Sequence, residues 1–152
     1  MTFLGELRVE ATLDNLTSTA YFVRGVGHRL KLAEDTLHDL ELAAEEAASN
    51  TIQYAYAARQ SGEMFIRGEL LGDVLYLVIG HWGTAIDPAQ LEPFDASAPA
   101  EEHAQGGLRL QLMRKLVDDV QFFTSPAPSV PSTIMLSKRL PALPPPVDGR
   151  EE

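Results

Sequence analysis

Polar and apolar residues alternate over positions 6–12, Glu-Leu-Arg-Val-Glu-Ala-Thr. That is the period of a half-buried strand. Asp14 or Asn15 can cap the helix that follows. Its apolar stripe is Leu16, Ala20, Val23, Gly27 and Leu30, and Gly25 and Gly27 within it predict close packing or an early end. A longer helix is predicted from about Asp35 to Ala58, in a segment rich in Ala, Leu and Glu, all good helix formers. Leu37, Leu40, Ala44, Ala47 and Thr51 form its inward face. Gln60-Ser61-Gly62-Glu63 reads as a turn. Met64–Leu71 and Val74–Ile79 flank Gly72-Asp73, a hairpin signal in the weaker, reversed order. Val74–Ile79 is almost continuously apolar, which predicts a central strand. Residues 87–105 lose all periodicity and turn Pro- and Ala-rich with several acids, the composition of a lid or binding loop. Gly106-Gly107 opens a third helix with Leu110, Met113, Leu116, Val117 and Val120 inward. Residues 120–124 and 132–138 form a last strand pair around Pro126, Pro128 and Pro131. From Pro141 the chain carries four prolines and three acids and reads as disordered.

The order β-α-α-β-β-lid-α-β-β predicts an α+β fold. It is a two-layer α/β sandwich, with a mixed, mostly antiparallel sheet covered on one face by three helices. One domain is expected over residues 1–140, followed by the tail 141–152.

Composition narrows the function. The 152 residues include 22 acids against 12 bases, a net charge of −10. A backbone-reading nucleic-acid binder needs a positive face to displace counterions, and an anionic membrane surface attracts basic segments. Neither partner suits this chain. There is no cysteine, hence no disulfide, thiolate nucleophile or Cys-ligated metal. No apolar run approaches the ~18–20 residues of a membrane span, and the start lacks the basic and apolar regions of a signal peptide. A soluble cytoplasmic domain with small-molecule or protein partners is expected.

Three local patterns carry candidate chemistry. Glu46 and Asn50 stand four apart on the long helix, so they share a face, and Tyr54 extends the line. A carboxylate beside an amide oxygen can orient a water and hold a hard cation such as Mg²⁺; the same residues would also suit a solvated helix face. Gly106-Gly107 stands where a loop becomes a helix, and exposed amides there can hold an anion; a plain flexible helix start is the alternative. Gly80-His81-Trp82-Gly83 follows the central strand, a common ligand position, where His81 would otherwise serve as a turn residue and Trp82 as a core or partner contact.

The order of these patterns resembles the GHKL (Bergerat-fold) ATPases, and among them the anti-sigma-factor serine kinases of bacterial partner-switching systems. Residues 40–56, Leu-Glu-Leu-Ala-Ala-Glu-Glu-Ala-Ala-Ser-Asn-Thr-Ile-Gln-Tyr-Ala-Tyr, resemble the family's N box. Residues 77–88, Leu-Val-Ile-Gly-His-Trp-Gly-Thr-Ala-Ile-Asp-Pro, are similar to its first glycine box. Residues 106–120, Gly-Gly-Leu-Arg-Leu-Gln-Leu-Met-Arg-Lys-Leu-Val-Asp-Asp-Val, are similar to its second, and 132–140 to its final strand. The likeness covers roughly residues 5–140.

The resemblance implies a Bergerat, or histidine-kinase-like ATPase, fold with ATP and Mg²⁺ as ligands. It gives Glu46 the role of polarising base and Asn50 that of Mg²⁺ ligand and nucleotide contact. It puts Gly83 beside adenine, wraps the phosphates in the amides of Gly106, Gly107 and Leu108, and makes 89–105 the ATP lid. The chain departs from the family at His81, where the first box has the aspartate that accepts from the adenine amino group. It departs again at Arg109, which stands in the place of a glycine, and at Tyr54, where a histidine is frequent. His81 and Arg109 are still nucleotide-site positions. The implied activity is ATP-dependent phosphorylation of an anti-sigma antagonist on serine, together with sequestration of a sigma factor or analogous target. Relatives of this kind often pair, which leaves a homodimer open. With two site positions changed and the catalytic pair kept, a second reading is a binding module that regulates through protein–protein affinity without ATP turnover. A third is a structural or sensory domain whose residual pocket takes another ligand.

The charge is uneven. Residues 31–50 carry six acids and one base, and residues 87–102 carry five acids and no base. Both stretches border the implied nucleotide pocket. A polyphosphate there would lean on Mg²⁺ and on Arg109 or Arg114; without them, the same acids form a docking face for a basic protein.

Overall fold

The computed structural model describes residues 1–56, 62–87 and 106–141. Among these residues five strands form one sheet: β1 (Thr2–Glu10), β2 (Glu63–Leu71), β3 (Val74–His81), β4 (Asp119–Phe123) and β5 (Ser132–Arg139). Their order is β1-β2-β3-β5-β4, with β3 at the centre as its apolar run predicts. The expected mixed, mostly antiparallel sheet is antiparallel at every one of these pairings. Three α-helices lie among the described residues: α1 (Leu16–Arg29), α2 (Glu34–Asn50) and α3 (Gly106–Leu116). Leu75, Leu77 and Ile79 of β3 and Ile134 and Leu136 of β5 are buried in one core with Val23, Leu40, Ala44, Ala47, Leu110 and Met113 of the helices. Alternate residues of a strand share a face, so this is the helix-covered side of the sheet. The loop expected over 87–105 and the tail beyond Pro141 lie almost wholly outside the described residues.

Three boundaries differ from the sequence expectation, each for a local reason. First, β1 starts earlier and stops earlier than 6–12. Its pairing slips between Phe3 and Gly5, where Gly5 has φ +137. The bulge reverses which residues face inward: Leu4 is buried, whereas Leu7 and Val9 continue the alternation beyond it. The strand ends because Asn15 Nδ2 donates to the Glu10 carbonyl at 2.8 Å, tying the chain into a turn before α1. Second, α1 buries Thr19, Val23, Val26 and Gly27, so its inward face is rotated from the Leu16–Ala20 line. A Cβ on Gly27 would lie 2.4 Å from Leu37 Cδ1, so the missing side chain at Gly27 makes room for Leu37 of α2. Third, α2 stays regular only to Asn50 and then widens into a π-helical turn, Thr51–Ala55. The predicted inward residues Leu37, Leu40, Ala44, Ala47 and Thr51 are all buried.

The Gly72-Asp73 hairpin forms as expected. Gly72 has φ +61 while Asp73 does not share a positive φ, the pattern of a turn with glycine at its first central position. Asp73 then accepts from the Arg139 guanidinium at 2.6 and 2.8 Å, which ties the hairpin tip to the end of β5.

Candidate functional site

One end of the sheet gathers the C-terminus of β3, the start of β5 and the end of α2. The last rung between β2 and β3 pairs Met64 with His81. Beyond it the strands part, and a side chain takes the place of the next rung. The Tyr56 hydroxyl donates to the Glu63 carbonyl at 2.6 Å and accepts from the Trp82 amide at 3.0 Å. Two residues on, the Thr84 amide donates to the Ala55 carbonyl at 2.8 Å. The chain leaving β3 is therefore fastened to the π-helical turn that closes α2. Such turns are frequent at functional sites.

Glycines make this junction fit. A Cβ on Gly83 would lie 2.2 Å from the Ala55 carbonyl oxygen and 2.9 Å from Tyr56 Cδ1. Gly62 is equally constrained by the Tyr56 ring, and Gly80 by Phe65, with would-be contacts of 2.2 and 2.1 Å. Gly83 thus has a packing role that the sequence reading, which set it beside adenine, did not see.

The predicted site residues fall into three groups. Glu46 and Asn50 lie on α2, Glu46 half-buried and Asn50 fully buried. Both Asn50 amide atoms, Oδ1 and Nδ2, are buried with no hydrogen-bond partner. A solvated helix face is therefore wrong for this stretch: Asn50 is 0 % exposed and Tyr54 packs against the core. An orphaned buried amide costs roughly 1–3 kcal/mol, so its persistence points to a ligand. The neighbouring Glu45 carboxyl is pushed above the usual carboxylate range, first by burial and then by the Glu41 and Glu46 carboxylates.

His81 forms the second group, with Gly83. The His81 ring is 1 % exposed, lies edge-on to Tyr56 at 6.2 Å between centroids, and leaves Nδ1 without a partner. Burial pushes its pKa down to about 4, so the ring is neutral at pH 7. His81 and Gly83 line a cavity of about 290 Å³ with Trp82, Ala85 and the β4–β5 connection, from Ser125 through Pro128 to Ser132. The sequence reading gave that connection no role. Its signal was three prolines within six residues, which fix φ and stiffen the loop. The Ser132 hydroxyl accepts from the Ser125 amide at 3.0 Å, holding the loop against β5. The Trp82 ring packs against Phe65 at 5.7 Å between centroids and under the Arg8 guanidinium at 4.9 Å.

The third group, Gly106, Gly107, Leu108 and Arg109, forms the first turn of α3. Helix α3 packs on α2 in the helical layer. Its first amides have no partner within the helix, a ready anion site. Glu46 and Asn50 do not line the cavity beside His81; the Thr51–Tyr56 segment links the two.

A Mg²⁺ ion and a nucleotide can be tested against these residues. Among the described residues, no group of three or more His, Cys, Asp or Glu could hold a metal. Mg²⁺ does not need one: it is usually held by one or two protein oxygens plus phosphates and waters. The buried, unpartnered Oδ1 of Asn50 is such an oxygen, so the donor set fits a Mg-nucleotide.

Comparison with known proteins now bears on the site. The model of the histidine kinase-like ATPase domain matches residues 9–130. The serine-protein kinase RsbW of Bacillus subtilis (strain 168) is 31% identical over 120 residues, covering 76% of this chain and 75% of that one. RsbW of Bacillus velezensis is 28% identical over 136 residues, covering 87% and 85%. Among solved structures, the RsbU and RsbW domains of a Mycobacterium tuberculosis protein superpose with a TM-score of 0.58 at 17% identity. That match takes in 90% of this chain and 32% of the other. The mycobacterial sensor histidine kinase MprB gives a TM-score of 0.51 at 17% identity, covering 88% and 97%. At that identity the structural likenesses speak for the fold. No helix among the described residues is long and apolar enough to cross a membrane.

Proposed function

The chain belongs to the histidine kinase-like ATPase family, in the branch of the RsbW anti-sigma serine kinases, and from that premise we propose that it is an ATP-dependent serine kinase of a partner-switching system. Its substrate is an anti-sigma antagonist protein, and it sequesters a sigma factor or an analogous target. It acts in the cytoplasm. The observation that carries this reading is Asn50, fully buried with both amide atoms unpartnered, one helical turn from Glu46.

When bound, Mg-ATP supplies the phosphoryl group with its charge partly neutralised. Glu46 would be the catalytic residue: its carboxylate would accept the hydrogen bond of the incoming serine hydroxyl and take its proton as the serine oxygen bonds to the γ-phosphorus and the bond from that phosphorus to the departing ADP oxygen breaks. Asn50 Oδ1 would hold the cation. The amides of Gly106, Gly107 and Leu108 would donate to phosphate oxygens, where aligned N–H groups stabilise charge without reorganisation. The family resemblance also puts Arg109 among the nucleotide-binding positions. His81 and Gly83 hold the base end of the nucleotide.

A second reading has its own observation. His81 is a neutral, buried imidazole at the position where the family's aspartate meets the base. A weakened base site favours a binding module that regulates by protein affinity alone. Thermal melts separate the two. A ligand that binds only the folded state raises stability by RT ln(1 + [L]/Kd), about 2.7 kcal/mol at a hundredfold excess over Kd. Millimolar Mg-ATP raises Tm by several degrees if the kinase reading holds, and Glu46→Ala then abolishes turnover while keeping the shift. No shift at millimolar Mg-ATP leaves the binding module.

A further inference from the structure

The neutral imidazole at the base end has a consequence for which base is bound. A carboxylate is acceptor-only, so a carboxylate at this position admits a donor, such as an exocyclic amine, and opposes a carbonyl oxygen. A neutral imidazole carries one donor and one acceptor nitrogen, and its tautomer is set by the hydrogen bonds its surroundings make. Among the described residues none does so here: Nδ1 of His81 is buried without a partner. The nearby hydroxyl of Ser132, paired across the ladder with His81, is likewise able to donate or accept. Both residues line the same cavity of about 290 Å³, at the lower edge of the ~300–1,000 Å³ of small-molecule sites. That space suits a base-sized group rather than a whole nucleotide.

Resting on the nucleotide-binding reading above, we propose that this pocket is not selective for an amino group at purine position 6 and takes 6-oxopurine nucleotides, those of hypoxanthine and guanine, alongside ATP. The ligand chooses the tautomer. An amine meets the bare ring nitrogen, and a carbonyl meets the N–H. In both cases the base's own group at position 6 is paired and the second ring nitrogen is no worse off than in the protein alone, so neither base carries the added penalty by which a fixed hydrogen-bonding site rejects the wrong partner.

The test uses the full chain with Mg-ATP, Mg-ITP and Mg-GTP, followed by calorimetry or thermal melts. ITP differs from ATP only around position 6 of the ring, and GTP adds the amino group at position 2. The expected result is that ITP binds within about tenfold of ATP. His81→Asp is expected to widen that ratio to about a hundredfold by weakening ITP, because a carboxylate then faces a carbonyl oxygen. His81→Asn, whose amide again offers a donor and an acceptor, keeps the ratio near that of the wild type, and decides the matter with the wild-type ratio if the aspartate variant does not fold. Tight ATP binding with ITP and GTP both more than a hundredfold weaker overturns the proposal and leaves the kinase reading standing. The absence of any shift with all three nucleotides overturns the nucleotide reading itself, and the base preference falls with it.

Discussion

Gly83→Ala tests the junction between α2 and β3 most directly. The added Cβ would sit 2.2 Å from the Ala55 carbonyl oxygen and 2.8 Å from its carbon. Ordinary contact begins at 3.4 Å, so backbone on one side must retreat by more than an ångström. Neither side yields easily. Ala55 is fully buried at the end of the π-helical turn, and the displaced carbonyl is the one that accepts from Thr84 at 2.8 Å. Forced overpacking costs about 1–3 kcal/mol, and a lost backbone hydrogen bond adds about 1 kcal/mol. The total of about 2–4 kcal/mol corresponds to a fall in Tm of roughly 4–16 °C for a domain of this size. Gly25→Ala is the matched control. Gly25 lies within α1 with nothing within 4 Å of its would-be Cβ, so alanine there stabilises the helix by about 0.5–1 kcal/mol. Urea denaturation of both variants without nucleotide reads the difference free of any effect on binding. Equal stabilities of the two variants, or a Gly83→Ala midpoint within 0.5 kcal/mol of the wild type, would refute the reasoning.

Other consequences are open to similar measurement. Tyr56→Phe removes a donor from the Glu63 carbonyl and an acceptor from the Trp82 amide; with water able to reach part of the gap, a loss of about 1–2 kcal/mol is expected by chemical denaturation, and no loss would mean that water replaces the hydroxyl fully. His81 is held neutral in the fold, with its pKa moved from 6.5 to about 4. The folded state therefore binds its proton less readily than the unfolded chain. Stability from this group is complete above pH 6.5 and is lost as pH falls toward 4, by about 3 kcal/mol. A His81→Gln variant lacks that component, and a wild type whose stability is flat from pH 6.5 to 4.5 would sink the assignment.

Much of the fold is legible because burial period and strand chemistry agree. Val74–Ile79 reads as central from its unbroken apolar run, and β3 is flanked on both sides. Leu110 and Met113 read as inward from helical spacing, and both are fully buried. The misreadings come where one residue changes the period. The bulge at Gly5 shifts the parity of β1, and the π-helical turn after Asn50 redirects everything beyond it. The second event matters for the site. On a regular helix Tyr54 continues the Glu46–Asn50 line; after the wider turn it is Tyr56 whose hydroxyl reaches β2 and β3. Individual candidates such as Glu46, Asn50 and His81 could be picked from residue type and order. Their environment could not, because burial of Asn50 and His81 depends on contacts made by distant segments.

The acidity acquires a sharper meaning from the placement of α2. Of its six acids, Glu34 and Glu41 are engaged by Arg24 at 3.0–3.2 Å. Glu34 and Asp35 lie in its first turn, where negative charge suits the helix dipole. The charge closest in sequence to a ligand at Asn50 is the Glu45–Glu46 pair one turn earlier; the Glu45 carboxyl is raised first by burial, then by the Glu41 carboxylate and then by that of Glu46. A bare polyphosphate would repel these carboxylates, and a Mg²⁺-bound one, with part of its charge neutralised, would repel them less. Like charges in a partly buried site oppose each other by on the order of 1 kcal/mol or more, a few-fold in affinity. Glu45→Gln is thus expected to strengthen binding of ATP in EDTA by several-fold while changing Mg-ATP affinity less. The difference should shrink as salt screens the charges. Equal effects on the two ligand forms, measured by calorimetry at low and high ionic strength, would show that the acidic pair does not face the phosphates. The acids of α2 would then be left as a surface for a basic protein partner.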